Sequence, residues 1–177
     1  YSPAASDVYK RQLPTVVDAD ALPVLATNED LRELVRDHPC TVLTPHAGEF
    51  ERLYTATLGR ALDLSEGLGV RLQELALALD CFILHKGRIT TVTAPGQEIY
   101  GMNAGHSYAA TAGSGDVLSG ILGATLAQLN IAEVDAKGVI AEILHAAAIH
   151  QHAAAIAAHT PEGFGICSAS QIAAAVP

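Results

Sequence analysis

The sequence predicts an α/β fold in which a largely parallel sheet is flanked by helices, and three observations carry that prediction. Short β-branched or apolar runs alternate with helical patterns along the chain, the order that builds parallel sheets through crossover connections. Half of the 177 residues are hydrophobic and only 16% are charged, enough apolar surface for one buried core and too much for a disordered chain. Alanine supplies 32 residues, aromatics only 5%, and tryptophan is absent. That mix suits closely packed helices better than an all-β sandwich.

The elements follow in order. Thr15-Val16-Val17-Asp18-Ala19-Asp20 reads as a buried strand whose carboxyl end carries two acids. Asn28-Glu29-Asp30 has the form of a helix start with acids in its first turn, running to Arg36 before Pro39. Thr41-Val42-Leu43 is a second strand, and Thr44 to Glu49 is a loop feeding a helix through Phe50 and Leu53. Asp63-Leu64-Ser65-Glu66 is expected to cap a longer helix to about Leu79. Cys81 to Leu84 is a third buried strand, and Ile89–Thr93 with Gln97–Tyr100 around Ala94-Pro95-Gly96 reads as a hairpin. Helices are expected from Gly113, from about Asp135 to His159, and after the Ser168-to-Gln171 cap.

Composition narrows the function classes. The net charge of −9 disfavours nucleic acid and anionic membrane as partners. Cys40, Cys81 and Cys167 are widely spaced and odd in number, which fits reduced thiols and a cytoplasmic location. No signal-peptide pattern opens the chain. The apolar run Ile140 to Ala158 is interrupted by Glu142 and three histidines and is expected to be a buried helix.

Four loops could carry chemistry. In Thr111 to Gly120, a small-residue turn opens directly onto an apolar helix, so unpaired N–H groups and the positive helix end face one point. Gly113, Ser114 and Gly115 are the expected anion hole, and Asp116 is either a reacting group or an ordinary acid in a first turn. Lys86-Gly87-Arg88-Ile89-Thr90 follows a buried strand, where open α/β sheets bind ligands. His46 and Glu49 could contact substrate or metal, or form a polar loop and a helix cap. Asp18 and Asp20 could hold Mg²⁺ or its waters, or cap a turn; with Glu49 they are the candidates for a metal or phosphate shell. Neither a GxGxxG nor a GxxxxGK[ST] pattern occurs. Glu142-x-x-His145 lacks the second copy that a di-iron site needs.

Taken together and in this order, VVDADAL (16–22), LTPHAGEFERL (43–53), LHKGRITTV (84–92) and ATAGSGDVLSGI (110–121) resemble the ADP-dependent NAD(P)H-hydrate dehydratases, lyases with a ribokinase-like fold. The likeness covers 13–177. Residues 1–12 do not share it and form a separate segment, with a sequence or cloning artefact as one reading. The resemblance implies repair of (6S)-hydrated NADH or NADPH, with ADP consumed, AMP and phosphate released, and Mg²⁺ in attendance. It places His46 and Asp116 at substrate-contacting positions, Lys86, Gly87, Arg88, Ile89, Thr90 and Gly115 at nucleotide-binding positions, and Asp116 where related kinases keep their base. It also implies an NAD(P)H-hydrate epimerase, fused or separate, as a partner, and a homo-oligomer for the full-length protein.

Ala47 stands where the family commonly has proline, and Ala112 where it often has glycine. Members carry a substantial part before the Asp-Ala-Asp-Ala-Leu motif, so the N-terminal part of the domain is expected to be missing here. Two other readings stand beside the dehydratase: a ribokinase-like kinase of a small alcohol, of the hydroxyethylthiazole kinase type, and an inactive nucleotide-binding fragment.

Overall fold

The computed structural model describes residues 13–102 and 107–177; residues 1–12, expected to form a separate segment, lie outside the described residues. The main sheet runs β1 (Thr15–Val17), β2 (Thr41–Leu43), β3 (Phe82–His85), β4 (Thr90–Thr93) and β5 (Tyr100–Met102), neighbours in that order. β1, β2 and β3 are parallel; β4 and β5 join antiparallel. The sheet is therefore mixed, with its parallel part where the sequence placed it. Helices α1 (Ala21–Thr27), α2 (Glu29–Arg36), α3 (Ala47–Leu58) and α4 (Leu68–Leu79) precede β3, and α5 (Ser114–Leu126), α6 (Ala136–Ala158) and α7 (Ala169–Ala174) follow β5. A small β6–β7 hairpin (His159–Thr160 with Gly163–Phe164) links the last two helices.

Alternation along the strands divides the core in two. Leu43 and Ile83 pack with Leu22, Phe50, Leu53 and Leu75 of α1, α3 and α4. Their neighbours Val42 and Leu84 face the other way, against Leu122, Leu126, Ile140 and Ile143 of α5 and α6. Each fully buried leucine or isoleucine contributes about 1.5–3 kcal/mol relative to exposure, so the strands are held by both layers. α6 is long and apolar enough, by length and composition alone, to cross a membrane. Here its Val139, Ile140, Ile143, Ala146 and Ala147 are buried in the second core layer.

Local signals set most boundaries. Asn28 accepts from the Leu31 N–H at 3.3 Å, Asp135 from that of Gly138 at 2.8 Å, and Ser168 with Gln171 forms a reciprocal cap. Three expectations shift. Asp63 accepts from the Ser65 N–H and hydroxyl, both at 2.9 Å, making a local turn; α4 starts only after Gly67 at φ +95°. α1 was not anticipated, because Pro23 discourages a helix; it stands third in that helix, where no intrahelical N–H bond is lost. The Gln97 N–H closes a turn onto the Ala94 carbonyl at 3.1 Å, so β5 begins at Tyr100 rather than Gln97.

Among the described residues β1 is an edge of the sheet. Beside it lies a hollow of about 540 Å³ lined mainly by apolar groups, including the half-exposed Val24 and Leu34. An open edge next to apolar surface promotes pairing between chains. Expressed alone, residues 1–177 are expected to self-associate, and charged substitutions at Val24 and Leu34 should shift them toward monomer. Light scattering on a size-exclusion column checks this; a monomer at all concentrations contradicts it.

Candidate active site

Because β1, β2 and β3 are parallel, their carboxyl ends lie at one rim of the sheet, and Asp18, His46 and Lys86 follow those ends. A parallel bridge extends β2 and β3 outward, with the Lys86 N–H donating to the Pro45 carbonyl at 2.8 Å. The Lys86 ammonium reaches across to Asp18 Oδ1 at 2.5 Å, and Ser119 of α5 donates its hydroxyl to Asp18 Oδ2 at 2.6 Å. Burial alone would raise the Asp18 pKa. Hydrogen bonds from Lys86, Ser119, Thr44 and the Ala19 N–H outweigh it and hold the carboxyl below its ordinary value.

The first turn of α5 sits against this pair. Gly113 precedes the helix at φ +83°, a conformation suited to glycine, and a Cβ there would meet the Ala169 methyl at 3.0 Å. A Cβ on Gly115 would lie 3.6 Å from the Lys86 ammonium and 3.8 Å from Asp18 Oδ2. The helix end is thus directed at the lysine. One member of the expected anion hole is corrected: the Ser114 N–H is spent on the Thr111 carbonyl at 3.1 Å, because the chain folds back before entering the helix. The outward donors of that first turn are the N–H groups of Gly115 and Asp116, which lack an intrahelical partner by position.

A cleft of about 870 Å³ opens over these groups. Lys86, Gly87, Arg88 and Thr90 line one side, Ser114 and Gly115 another, and His46 the rim. Ile89 points to solvent instead, and Asp116 stands exposed in the first turn of α5 without lining the cleft. His46 and Glu49 cap α3 reciprocally. The Glu49 carboxylate accepts from the His46 N–H at 2.8 Å and meets Nε2 at 3.2 Å, while His46 Nδ1 accepts from the Gly48 N–H at 3.1 Å. With Nδ1 accepting, Nε2 carries the ring proton.

The proposed metal or phosphate shell does not converge. Asp18 is taken by Lys86 and Ser119, Glu49 by His46, and Asp20 borders the hollow beside β1. Among the described residues no group of three or more His, Cys, Asp or Glu side chains is placed to hold a metal. His85, at the end of β3, is buried edge-on against Phe50 with ring centroids 5.7 Å apart. Burial, then the nearby His46, lowers its pKa, so this imidazole is neutral.

A family model described as NAD(P)H-hydrate dehydratase matches residues 1–172. The chain belongs to that family. The bifunctional NAD(P)H-hydrate repair enzyme Nnr of Corynebacterium glutamicum is 39% identical over 189 residues, covering 97% of this chain and 32% of that protein. The ADP-dependent (S)-NAD(P)H-hydrate dehydratase of Neisseria meningitidis serogroup B is 40% identical over 115 residues, covering 65% of this chain and 38% of its own length. The chain therefore spans between about a quarter and two-fifths of the length of the relatives it matches. A ribokinase-like superfamily protein from Enterococcus faecalis superposes with a TM-score of 0.72 at 22% identity, covering all of this chain and 58% of that one. The ADP/ATP-dependent NAD(P)H-hydrate dehydratase of Bacillus subtilis, co-crystallised with ATP and Mg²⁺, gives 0.60 at 24% identity, over 78% of this chain and 46% of that one. The family's fold is ribokinase-like, and so is this one.

Sequence reasoning missed the Asp18–Lys86 pair, Ser119, and the cleft residues His150 and Gln151. Only helical spacing could have found the last two, since they fall on the stripe of α6 that packs inward.

Asp18 should stabilise the fold in a pH-dependent way. A carboxyl with a lowered folded pKa contributes stability above its unfolded pKa, about 3.9, and loses it as pH falls through the folded value. Asp18→Asn is expected to cost about 1–3 kcal/mol near neutrality, a difference that shrinks below about pH 4. Urea midpoints across pH check it; a gap that persists at low pH contradicts it.

Proposed function

We propose that this cleft binds ADP and a hydrated nicotinamide nucleotide, and that the chain carries the lyase chemistry of an ADP-dependent NAD(P)H-hydrate dehydratase. One observation carries the reading: all four motifs meet at one rim. Asp18 of the first pairs with Lys86 of the third, His46 of the second is bridged to Lys86, and Gly115 of the fourth lies against both charges.

The residues suit phosphoryl transfer followed by elimination. Hydroxide is a poor leaving group, whereas a phosphate ester leaves readily. ADP would pass its β-phosphoryl group to the C6 hydroxyl, releasing AMP, while the hydroxyl proton goes to a base. The ring nitrogen lone pair would then expel phosphate, and loss of the C5 proton restores the C5=C6 bond. Such transfer asks the protein for positioning and charge neutralisation. Lys86 and Arg88 supply cationic charge on the nucleotide side, and the first turn of α5 supplies N–H donors to a phosphoryl group. Asp116, outside the cleft lining but in the same first turn as Gly115, would orient the hydroxyl and receive its proton once substrate extends over that turn. His46, with its ring held by Glu49 and Gly48, presents a fixed edge to the nicotinamide side.

Mg²⁺ accompanies nucleotides as a charge-neutralising ion, but the Asp18 and Glu49 carboxylates are engaged by other partners, and no three carboxylates among the described residues converge to hold it. An epimerase, fused or separate, is the expected functional partner, in keeping with relatives described as bifunctional. A homo-oligomer is proposed for the full-length protein. A cytoplasmic setting agrees with three free, buried cysteines, of which burial raises Cys40 to about 11.

Joined to the additional length its relatives carry, this chain given hydrated NADPH, Mg²⁺ and ADP is expected to regenerate the dihydronicotinamide absorbance and release AMP. Phosphorylation of a thiazole alcohol by ATP, with hydrated NADPH ignored, would instead identify a kinase. In the active protein, Asp116→Asn should keep ADP binding and lower turnover by roughly two to four powers of ten. Lys86→Ala should mainly weaken ADP, by about ten- to hundredfold. An unaltered rate for Asp116→Asn would remove that residue from the mechanism.

A further inference from the structure

Two consecutive residues of α6 are unlike their surroundings. The inward stripe of that helix is built from Val139, Ile143, Ala146, Ala147, Ala153 and Ala154, all buried. At the same spacing stands His150, only 8% exposed, and its Nε2 lies 2.9 Å from Ser114 Oγ and 3.0 Å from the Ser114 carbonyl oxygen. A carbonyl can only accept, so Nε2 carries the proton and donates. Gln151, next in sequence, donates its Nε2 to Thr90 Oγ1 at 3.4 Å, and both side chains line the cleft.

These contacts reach the two segments that form the nucleotide side. Ser114 is the first residue of α5, between Gly113 and Gly115, and its own N–H is already tied to Thr111. Neither flanking glycine has a side chain to hold it, and glycine backbone is the least restrained there is. The ring of His150 therefore fastens the one side chain that stands between the two glycines. Thr90 belongs to the Lys86-to-Thr90 segment, and Gln151 ties it to the same point of α6. The brace is local, polar and buried among alanines, and apolar packing alone gives no reason for an imidazole there.

We propose that His150 is a positioning residue for the nucleotide: through Ser114 it fixes the N–H groups of the α5 turn toward the phosphates, while Gln151 holds Thr90 in register with it. This rests on the nucleotide reading of the cleft. It assigns to α6 a part in binding without contact to the reacting atoms.

The test uses the whole chain, 1–177, titrated with ADP by calorimetry. His150→Leu keeps the volume and helical preference but removes the donor; it should weaken ADP about five- to twentyfold while the chain stays folded. His150→Gln restores a donor of similar reach and should bind within about threefold of the unmodified chain. If His150→Leu binds ADP as well as the unmodified chain, the proposal is overturned. If the two variants are equally impaired, the residue acts through packing and the proposal is likewise overturned. If the unmodified chain binds no ADP, the nucleotide reading fails here, and amide exchange decides the brace separately. His150→Leu should then speed exchange at Ser114 and Val117, whose N–H groups are paired within the turn, but not at Leu122 and Leu126 in the same helix; uniform rates would overturn it.

Discussion

The Asp18–Lys86 ion pair is the contact on which the site depends. It joins the end of β1 to the end of β3, and through Ser119 it draws in the second turn of α5. A carboxylate and an ammonium at 2.5 Å are locally neutral, which lets a chain of net charge −9 keep a lysine poised at the cleft without a large desolvation penalty. In the proposed nucleotide-binding role, Lys86 would therefore offer a phosphate an oriented charge whose field is partly cancelled. The remaining attraction comes from Arg88 and from the N–H groups of the α5 turn, which Asp18 does not neutralise.

The pair is possible only because both faces of the sheet are packed. Val42 and Leu84 face α5 and α6, and Leu43 and Ile83 face α1, α3 and α4. With its strands clamped on both sides, the sheet presents its carboxyl ends as one rigid rim. The loops can then be short and polar without losing position. His46 is a clear case: the same capping bonds that start α3 also fix its imidazole at the mouth of the cleft. The two readings of His46 and Glu49, cap or ligand, are therefore compatible for His46. For Glu49 the cap prevails, since both its oxygens are engaged.

Much of this was legible in the residues. Capping patterns at Asn28, Asp135 and Ser168 placed three helix starts, and the glycine-rich turn marked the start of α5. What was not legible depends on partners far apart in the chain. Nothing near Asp18 announces Lys86, and nothing near Ser114 announces His150; each meeting is created by strand order and helix packing. Local signals also misled in places. Asp63 to Glu66 has the letters of a helix cap, but Asp63 closes a turn on Ser65, and α4 begins only after Gly67. The committed roles of Asp18 and Glu49 could not be seen either, because acids at strand ends look alike until their donors are known.

Gly113 and Ala169 lie so close that only one of them has room for a side chain. The glycine takes a left-handed conformation directly before α5, and a side chain there would meet a methyl group of α7 at 3.0 Å. The short closing helix thus acts as a wedge at the back of the site. Side-chain size at residue 169 is coupled to backbone geometry at residue 113, so the two positions are constrained to change together. A bulkier residue at 169 would push on the turn from behind, altering the floor of the cleft from a position outside its lining.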